Sequence, residues 1–186
     1  MSAPLFPILE TSRLHLREIT SADAPSLLAI HGDPEVMRWF GADPITDLTG
    51  AQTLVDLFAG WRALPNPGVR WGLELKSEPG QLIGSLGLFG WNRAWRTCTL
   101  GYELARSAQG QGLMHEALKT ALAWGFQEMR LHRISAQIHP DNAASLRSAK
   151  RLGFVEEGRL RHAGFWGMRH HDLLQFSLLR HEWSAA

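Results

Sequence analysis

Between Ser12 and Glu18 the chain alternates. Leu14 and Leu16 fall on one side and Arg13, His15 and Arg17 on the other, which predicts a half-buried strand. Trp71, Leu73 and Leu75 alternate in the same way with Gly72, Glu74 and Lys76, and Glu78-Pro-Gly-Gln follows as a hairpin turn. Leu82–Phe89 is nearly all apolar or small, the pattern of a central strand covered on both faces. Thr97–Leu104 reads as a third strand, so these three predict an antiparallel meander. Ile134, Ala136 and Ile138 form another strand, and two more are expected over Phe154–Phe165 and Asp172–Leu179.

A period near 3.6 marks the helices. Thr20-Ser-Ala-Asp offers caps before a helix over Ala24–His31, and Asp33-Pro34 restarts a short helical turn through Phe40. Thr49-Gly-Ala-Gln-Thr opens a helix running to about Leu64. The longest pattern spans Leu113 to about Met129. Met114, Leu118, Ala121, Leu122 and Met129 share one face, and His115, Glu116, Lys119 and Gln127 the other. Asp141-Asn142 can cap a helix over Ala143–Leu152 that Gly153 ends. This order predicts an α/β fold with a mixed, largely antiparallel sheet and about four helices. The strand before Gln109 and the strand after Met129 are joined by a helix, so they are expected as parallel neighbours.

The chain has 186 residues, is 45% hydrophobic and carries a net charge of +1, which suits one domain with a sizeable core. No Lys/Arg run marks a nucleic-acid or membrane surface, and no stretch approaches a membrane span. Met1-Ser-Ala-Pro-Leu-Phe-Pro lacks a basic region followed by an apolar run, so no signal peptide is expected and a cytoplasmic protein is the default. The single cysteine, Cys98, excludes an intrachain disulfide and any Cys-pair zinc site, and reads as a packing residue. His162 and His170-His171-Asp172 invite a metal, but adjacent strand residues point to opposite faces, and no metal is expected. Eight tryptophans are many for this length. Some should line a groove, because a buried indole N–H needs a partner.

One junction carries chemistry. Gln109-Gly-Gln-Gly-Leu-Met sits between a strand and the long helix, where backbone N–H groups and the helix dipole together suit an anion. Gly110 and Gly112 permit close approach of a ligand, or simply make a tight turn. The chain has no Walker loop. His115 stands where a dinucleotide fingerprint needs its third glycine, so a bound phosphate belongs to another class.

These residues resemble the GCN5-related N-acetyltransferases (GNAT), in the branch of the ribosomal-protein N-terminal acetyltransferases RimJ and RimL. The superfamily motif Gln/Arg-x-x-Gly-x-Gly/Ala maps onto Gln109, Gly112 and Met114, with Met114 departing from the small residue. A second motif maps onto Asn142, Ser145 and Gly153-Phe154. Glu10-Thr-Ser-Arg-Leu-His-Leu-Arg, Leu100-Gly-Tyr-Glu-Leu and Phe176-Ser-Leu-Leu-Arg-His-Glu-Trp extend the match over residues 9–183, read as a single domain.

The resemblance implies a sheet splayed at its centre, with the pantetheine of acetyl-CoA in the gap. It implies cofactor contacts from Tyr102, Glu103 and Leu104, from Gln109, Gly110, Gln111, Gly112, Leu113 and Met114, and from the Asn142 amide. The implied reaction is direct attack of a primary amine on the acetyl group, the acceptor being a protein N-terminal α-amine or a small amine. A non-catalytic acyl-CoA sensor is the alternative. Ser145 is the candidate for assisting the departing thiolate. Thr99 occupies a position where many relatives carry a glutamate base, and Gly164 aligns with another, so Glu103, His139 and His162 remain as base candidates. Trp39, Phe40, Trp61, Trp91 and Trp95 are expected to flank the acceptor, with Phe165, Trp166 and Asp172 on a substrate-side hairpin. Members of the family are often dimers, so a homodimer is the expectation by analogy.

Overall fold

Leu14 and Leu16 are wholly buried while Arg17 turns to the opposite side, so the alternation read from the sequence is that of a sheet with two differently filled faces. The computed structural model describes residues 6–184, and the part of the N-terminal stretch before residue 6 lies outside them. Eight strands follow: β1 (Leu9–Glu10), β2 (Leu14–Glu18), β3 (Val69–Leu75), β4 (Leu82–Asn92), β5 (Thr97–Leu104), β6 (Arg133–Ile138), β7 (Val155–Trp166) and β8 (Arg169–Leu179). They make one sheet in the order β1-β2-β3-β4-β5-β6-β8-β7. All neighbours are antiparallel except β5 and β6, the pair joined by the long helix.

Five α-helices accompany the sheet: α1 (Ala24–His31), α2 (Pro34–Met37), α3 (Leu48–Gly60), α4 (Leu113–Gln127) and α5 (Ala143–Arg151). The single turn α2 is the short helical turn expected after Asp33-Pro34, and it ends at Met37 rather than Phe40. It starts at Pro34 because the Asp33 carboxylate caps it by accepting from the Glu35 N–H. α3 starts one residue earlier than Thr49, capped by Asp47, and stops at Gly60. A 3₁₀ turn then carries the chain to Ala63.

α4 lays Leu113, Ala117, Leu118, Ala121, Leu122 and Phe126 against one face of the sheet, among Leu16, Trp71, Leu88 and Ile134. α1 and α3 cover the other face, where Leu27, Ile30, Val55 and Phe58 meet Ile19 and Leu82. Each such side chain contributes about 1.5–3 kcal/mol on burial.

The parallel pair is short. β5 and β6 pair only at Thr97–Arg133, Cys98–Ile134 and Thr99–Ser135. Beyond Thr99, β5 stays with β4 and β6 stays with β8. The sheet therefore opens into a V from Leu100 to Leu104 on one arm and Ala136 to Ile138 on the other.

Candidate functional site

A cavity of about 700 Å³ lies at the mouth of this V. Its floor is the end of β5, one wall is the start of α4, another the start of α5, and the rim carries α2 and the aromatic pair Trp39 and Phe40.

The α4 wall begins with the glycine-rich loop. Gly110 and Gly112 both have φ of +76°, a region where a Cβ is strained, and at Gly110 no atom lies within 4 Å of where one would stand. Gly112 is the N-cap of α4 and brings no side chain to the first N–H groups, which leaves the positive end of the helix for a ligand anion. The loop is held from outside. Arg13 donates from Nη1 to the Gln111 carbonyl at 3.1 Å and from Nε to Glu116 Oε2 at 2.8 Å. Ser12 Oγ and the Arg13 N–H also donate to Glu116. Burial would raise the Glu116 pKa, but this ring of donors pulls it down to about 2. The Gln109 amide donates to the Leu104 carbonyl at 2.9 Å, tying the loop to the end of β5. Gln111 is the loop residue whose side chain turns elsewhere, to the Ser107 carbonyl, and it does not line the cavity.

β5 sends successive side chains to opposite faces. Tyr102 reaches the α5 side, where it stands in the cavity wall beside Ser145 and Ser148. Burial pushes its pKa up, against the pull of those two hydroxyls, so it stays a protonated phenol. Glu103 turns to the α1 side. There its carboxylate accepts from Arg70 Nη2 and Ser85 Oγ and lies 3.2 Å from His31 Nε2. Arg70 is itself buried, with Phe58 4.6 Å beneath its guanidinium and its Nε on Ser85 Oγ at 2.7 Å. Burial works to raise the Glu103 pKa. Arg70, His31 and Ser85 outweigh it and hold the carboxyl below the ordinary glutamate value.

At α5, Asn142 is the N-cap and its Oδ1 accepts from the Ser145 N–H at 3.1 Å. Capping engages only the oxygen, so the amide NH₂ retains its donors in the cavity wall. Ser145, at the third helical position, brings its hydroxyl to the same wall, next to Tyr102.

His139 is placed differently from the solvated strand end that its position suggests. It is buried and stacks on Trp39 at 4.1 Å. Its Nδ1 accepts the Asp141 N–H at 3.1 Å and its Nε2 lies 3.3 Å from His171 Nδ1. Both ring nitrogens are therefore committed, and His139 lines a second cavity of about 290 Å³ rather than the first. His171 stacks on Trp166 at 3.7 Å and His170 stacks on His162 at 5.6 Å, and both His170 and His171 line the second cavity. His162 accordingly faces the second cavity too.

Of the aromatic residues expected at the acceptor, Trp39 and Phe40 line the larger cavity. Trp61 packs instead between Phe58 and Phe89, and Trp91 and Trp95 belong to the far end of the β4–β5 hairpin, Trp95 largely exposed. A Cβ at Gly164 would overlap the Trp166 ring, so this ring fills the space a side chain at that position would need. Cys98 is buried and its thiol is pushed up to about 12, consistent with packing. The Asp172 carboxylate accepts from Arg159 Nε and the His162 N–H on the β7–β8 hairpin.

Sequence reasoning missed Arg13 and Glu116 as the brace of the loop, and His115 and Arg151 as cavity wall. The first pair had a signal: a carboxylate in the first turn of α4 and an arginine immediately before β2.

Comparison with known proteins agrees with this geometry. Residues 13–155 match the family model described as "Acetyltransferase (GNAT) domain". The chain is 32% identical over 176 residues to the uncharacterized N-acetyltransferase YoaA of Bacillus subtilis, covering 95% of this chain and 98% of that one. Among solved structures, RimJ of Mycobacterium smegmatis in complex with CoA-disulfide superposes with a TM-score of 0.84 at 22% identity, over 96% of this chain and 90% of that one. Spermidine N-acetyltransferase from Vibrio cholerae, with CoA and spermine, gives 0.79 at 23% identity, over 92% and 98%. The chain belongs to the GNAT acetyltransferase family and is an acetyl-CoA-dependent N-acetyltransferase; its relatives include YdaF of Bacillus subtilis, described as a putative ribosomal N-acetyltransferase, 28% identical over 91% of this chain and 92% of that one.

Proposed function

From that membership we propose that the chain acetylates the α-amine at the N-terminus of a protein, as a cytoplasmic enzyme acting through one domain over residues 9–183. The observation that carries the choice of acceptor is the state of Glu103. Its buried carboxylate is ion-paired with Arg70 and held below the ordinary glutamate value, so it is a weak base. An α-amine has a pKa of about 7.7–8.0, and roughly a third of it is already neutral at pH 7.5; an alkylamine near 10.4 is neutral at about one part in a thousand. A site without a poised base suits the first acceptor.

Acetyl-CoA supplies an acetyl group activated as a thioester. Gln109–Met114 hold its pyrophosphate through the loop N–H groups and the α4 dipole. The unpaired edge of β5 at Tyr102–Leu104 takes the pantetheine, and the Asn142 NH₂ fixes it from α5. Ser145 presents a hydroxyl to the sulfur, backed by the Tyr102 phenol. Glu103 is a fixed negative charge behind the acceptor and His139 fastens the aromatic wall through Trp39.

The second reading, an acyl-CoA sensor, is favoured by the same occupied Glu103. A thiol-release assay with N-terminal peptides, spermidine and lysine separates the readings. CoA release with peptides is expected, and release with spermidine alone moves the acceptor to small amines. Tight acetyl-CoA binding without release for any acceptor supports the sensor.

A further inference from the structure

His115 follows the glycine-rich loop in the first turn of α4 and lines the large cavity together with Arg147, Ser148 and Arg151 of α5. Its Nδ1 is shielded from solvent and has no hydrogen-bond partner among the described residues. A buried polar atom left unpaired is destabilising unless a ligand supplies its partner.

The charged groups around it have one sign. Lys119 stands one turn further along α4, and Arg151 comes from the last turn of α5. Glu116, the next residue along α4, is turned to Arg13. Partial burial and the two cations hold the free imidazole below its ordinary pKa. An unpaired imidazole nitrogen among cations, next to the positive end of a helix, fits a doubly charged oxyanion.

We propose that the corner formed by His115 and Arg151 binds a phosphate group of the cofactor, and that His115 takes up a proton from solvent as it does so. This rests on the proposed acetyl-CoA reading. The neutral ring gains a proton on Nδ1 and donates it as a hydrogen bond to a phosphate oxygen. The phosphate outweighs the repulsion from Lys119 and Arg151, which reverses the direction of the His115 shift. The phosphate is either the 3′-phosphate of the adenosine or the far end of the pyrophosphate; the chemistry of the corner is the same for both.

Calorimetric titration with CoA at pH 7.5, in buffers of different ionisation enthalpy, counts the protons. The expected result is an uptake of about half to one proton per CoA, since a raised folded-state pKa binds protons above its former value. His115→Asn keeps a donor and cannot titrate, so the uptake should vanish while part of the affinity survives. His115→Leu and Arg151→Gln should each weaken binding about tenfold. Dephospho-CoA assigns the source: uptake lost with it marks the 3′-phosphate, and uptake retained marks the pyrophosphate. Binding of CoA with heat independent of buffer, or an uptake that His115→Asn leaves unchanged, overturns the proposal. Failure of the wild-type chain to bind CoA at all would sink the acetyl-CoA reading itself, and the corner with it.

Discussion

His139 Nε2 lies 3.3 Å from His171 Nδ1, and the outer nitrogens of the two rings fix how the proton between them is shared. His139 Nδ1 accepts the Asp141 N–H, so its proton sits on Nε2 and is donated to His171 Nδ1. His171 then carries its proton on Nε2, 3.1 Å from the Trp166 carbonyl. Both rings are neutral in this arrangement, and the chain of hydrogen bonds runs in one direction. It fastens Trp39, which stacks on His139, to Trp166, whose indole donates to the Arg38 carbonyl. The Trp39 rim of the cavity is therefore joined to the β7–β8 hairpin through two histidines.

That arrangement gives a pH dependence with a definite sign. Burial lowers the His139 pKa below 6.5. The unfolded chain then binds more protons than the folded one between the lowered value and 6.5, so stability falls as pH drops through that window. Chemical denaturation of the wild type and of His139→Gln at several values between pH 5 and 7.5 checks this. The wild type should lose stability toward pH 5 and the variant should lose less. Parallel slopes would remove His139 as the cause.

The brace of the loop predicts a split between kinetic constants. Arg13→Ala removes the contacts to the Gln111 carbonyl and to Glu116, and Glu116→Gln weakens the same joint from the other side. The pair is partly exposed, so the cost to stability is about 1 kcal/mol or less. The loop should lose definition, raising KM for acetyl-CoA about tenfold at a nearly constant kcat. S-acetylpantetheine lacks the pyrophosphate, so its turnover should be equal in wild type and Arg13→Ala. A deficit of the same size with both thioesters would make Arg13 a residue of general stability.

Ser145 and Tyr102 predict the opposite split. Ser145→Ala leaves the backbone N–H that Asn142 caps and removes only the hydroxyl, so folding should be little altered. If that hydroxyl assists the thiolate, kcat falls about ten- to a hundredfold with KM for acetyl-CoA unchanged. Tyr102→Phe should give a smaller loss, since the Tyr102 phenol stands beside Ser145 in the cavity wall. Equal kcat in wild type and Ser145→Ala would remove the assignment.

The particulars show what a sequence can carry. The alternation of Leu14 and Leu16, the crossover between β5 and β6 and the Leu118, Ala121 and Leu122 part of the α4 stripe are local periodicities that appear where the pattern puts them, while Met114 turns to the cavity and Met129 follows the end of α4. The Asn142 cap was readable because capping is a contact across three residues. The partners of Glu103 were not. Arg70 and His31 lie 33 and 72 positions away, and only the folded sheet brings them beneath β5. The surroundings of His139 are unreadable for the same reason: it follows the end of β6, and Trp39 and Trp166 arrive from distant segments to cover it. The missing glutamate at Gly164 has its physical account only in the position of the Trp166 ring.

Glu103 provides the sharpest test of how the site works. If it were the general base, Glu103→Gln would abolish a low-pH limb of the rate profile while the protein stayed folded. The structure gives a different expectation. The carboxylate neutralises Arg70, which is buried among Phe58, Phe40 and Trp61. Removing one partner of a buried ion pair leaves the other uncompensated and costs about 3–5 kcal/mol. Glu103→Gln should therefore unfold at clearly lower denaturant. A paired Glu103→Gln and Arg70→Met variant removes both charges and should recover part of that loss. The pH profile of the recovered double variant on a peptide acceptor decides the matter. A rise that still levels near the pKa of the α-amine, about 7.7–8.0, identifies the acceptor itself as the titrating group and Glu103 as a structural charge.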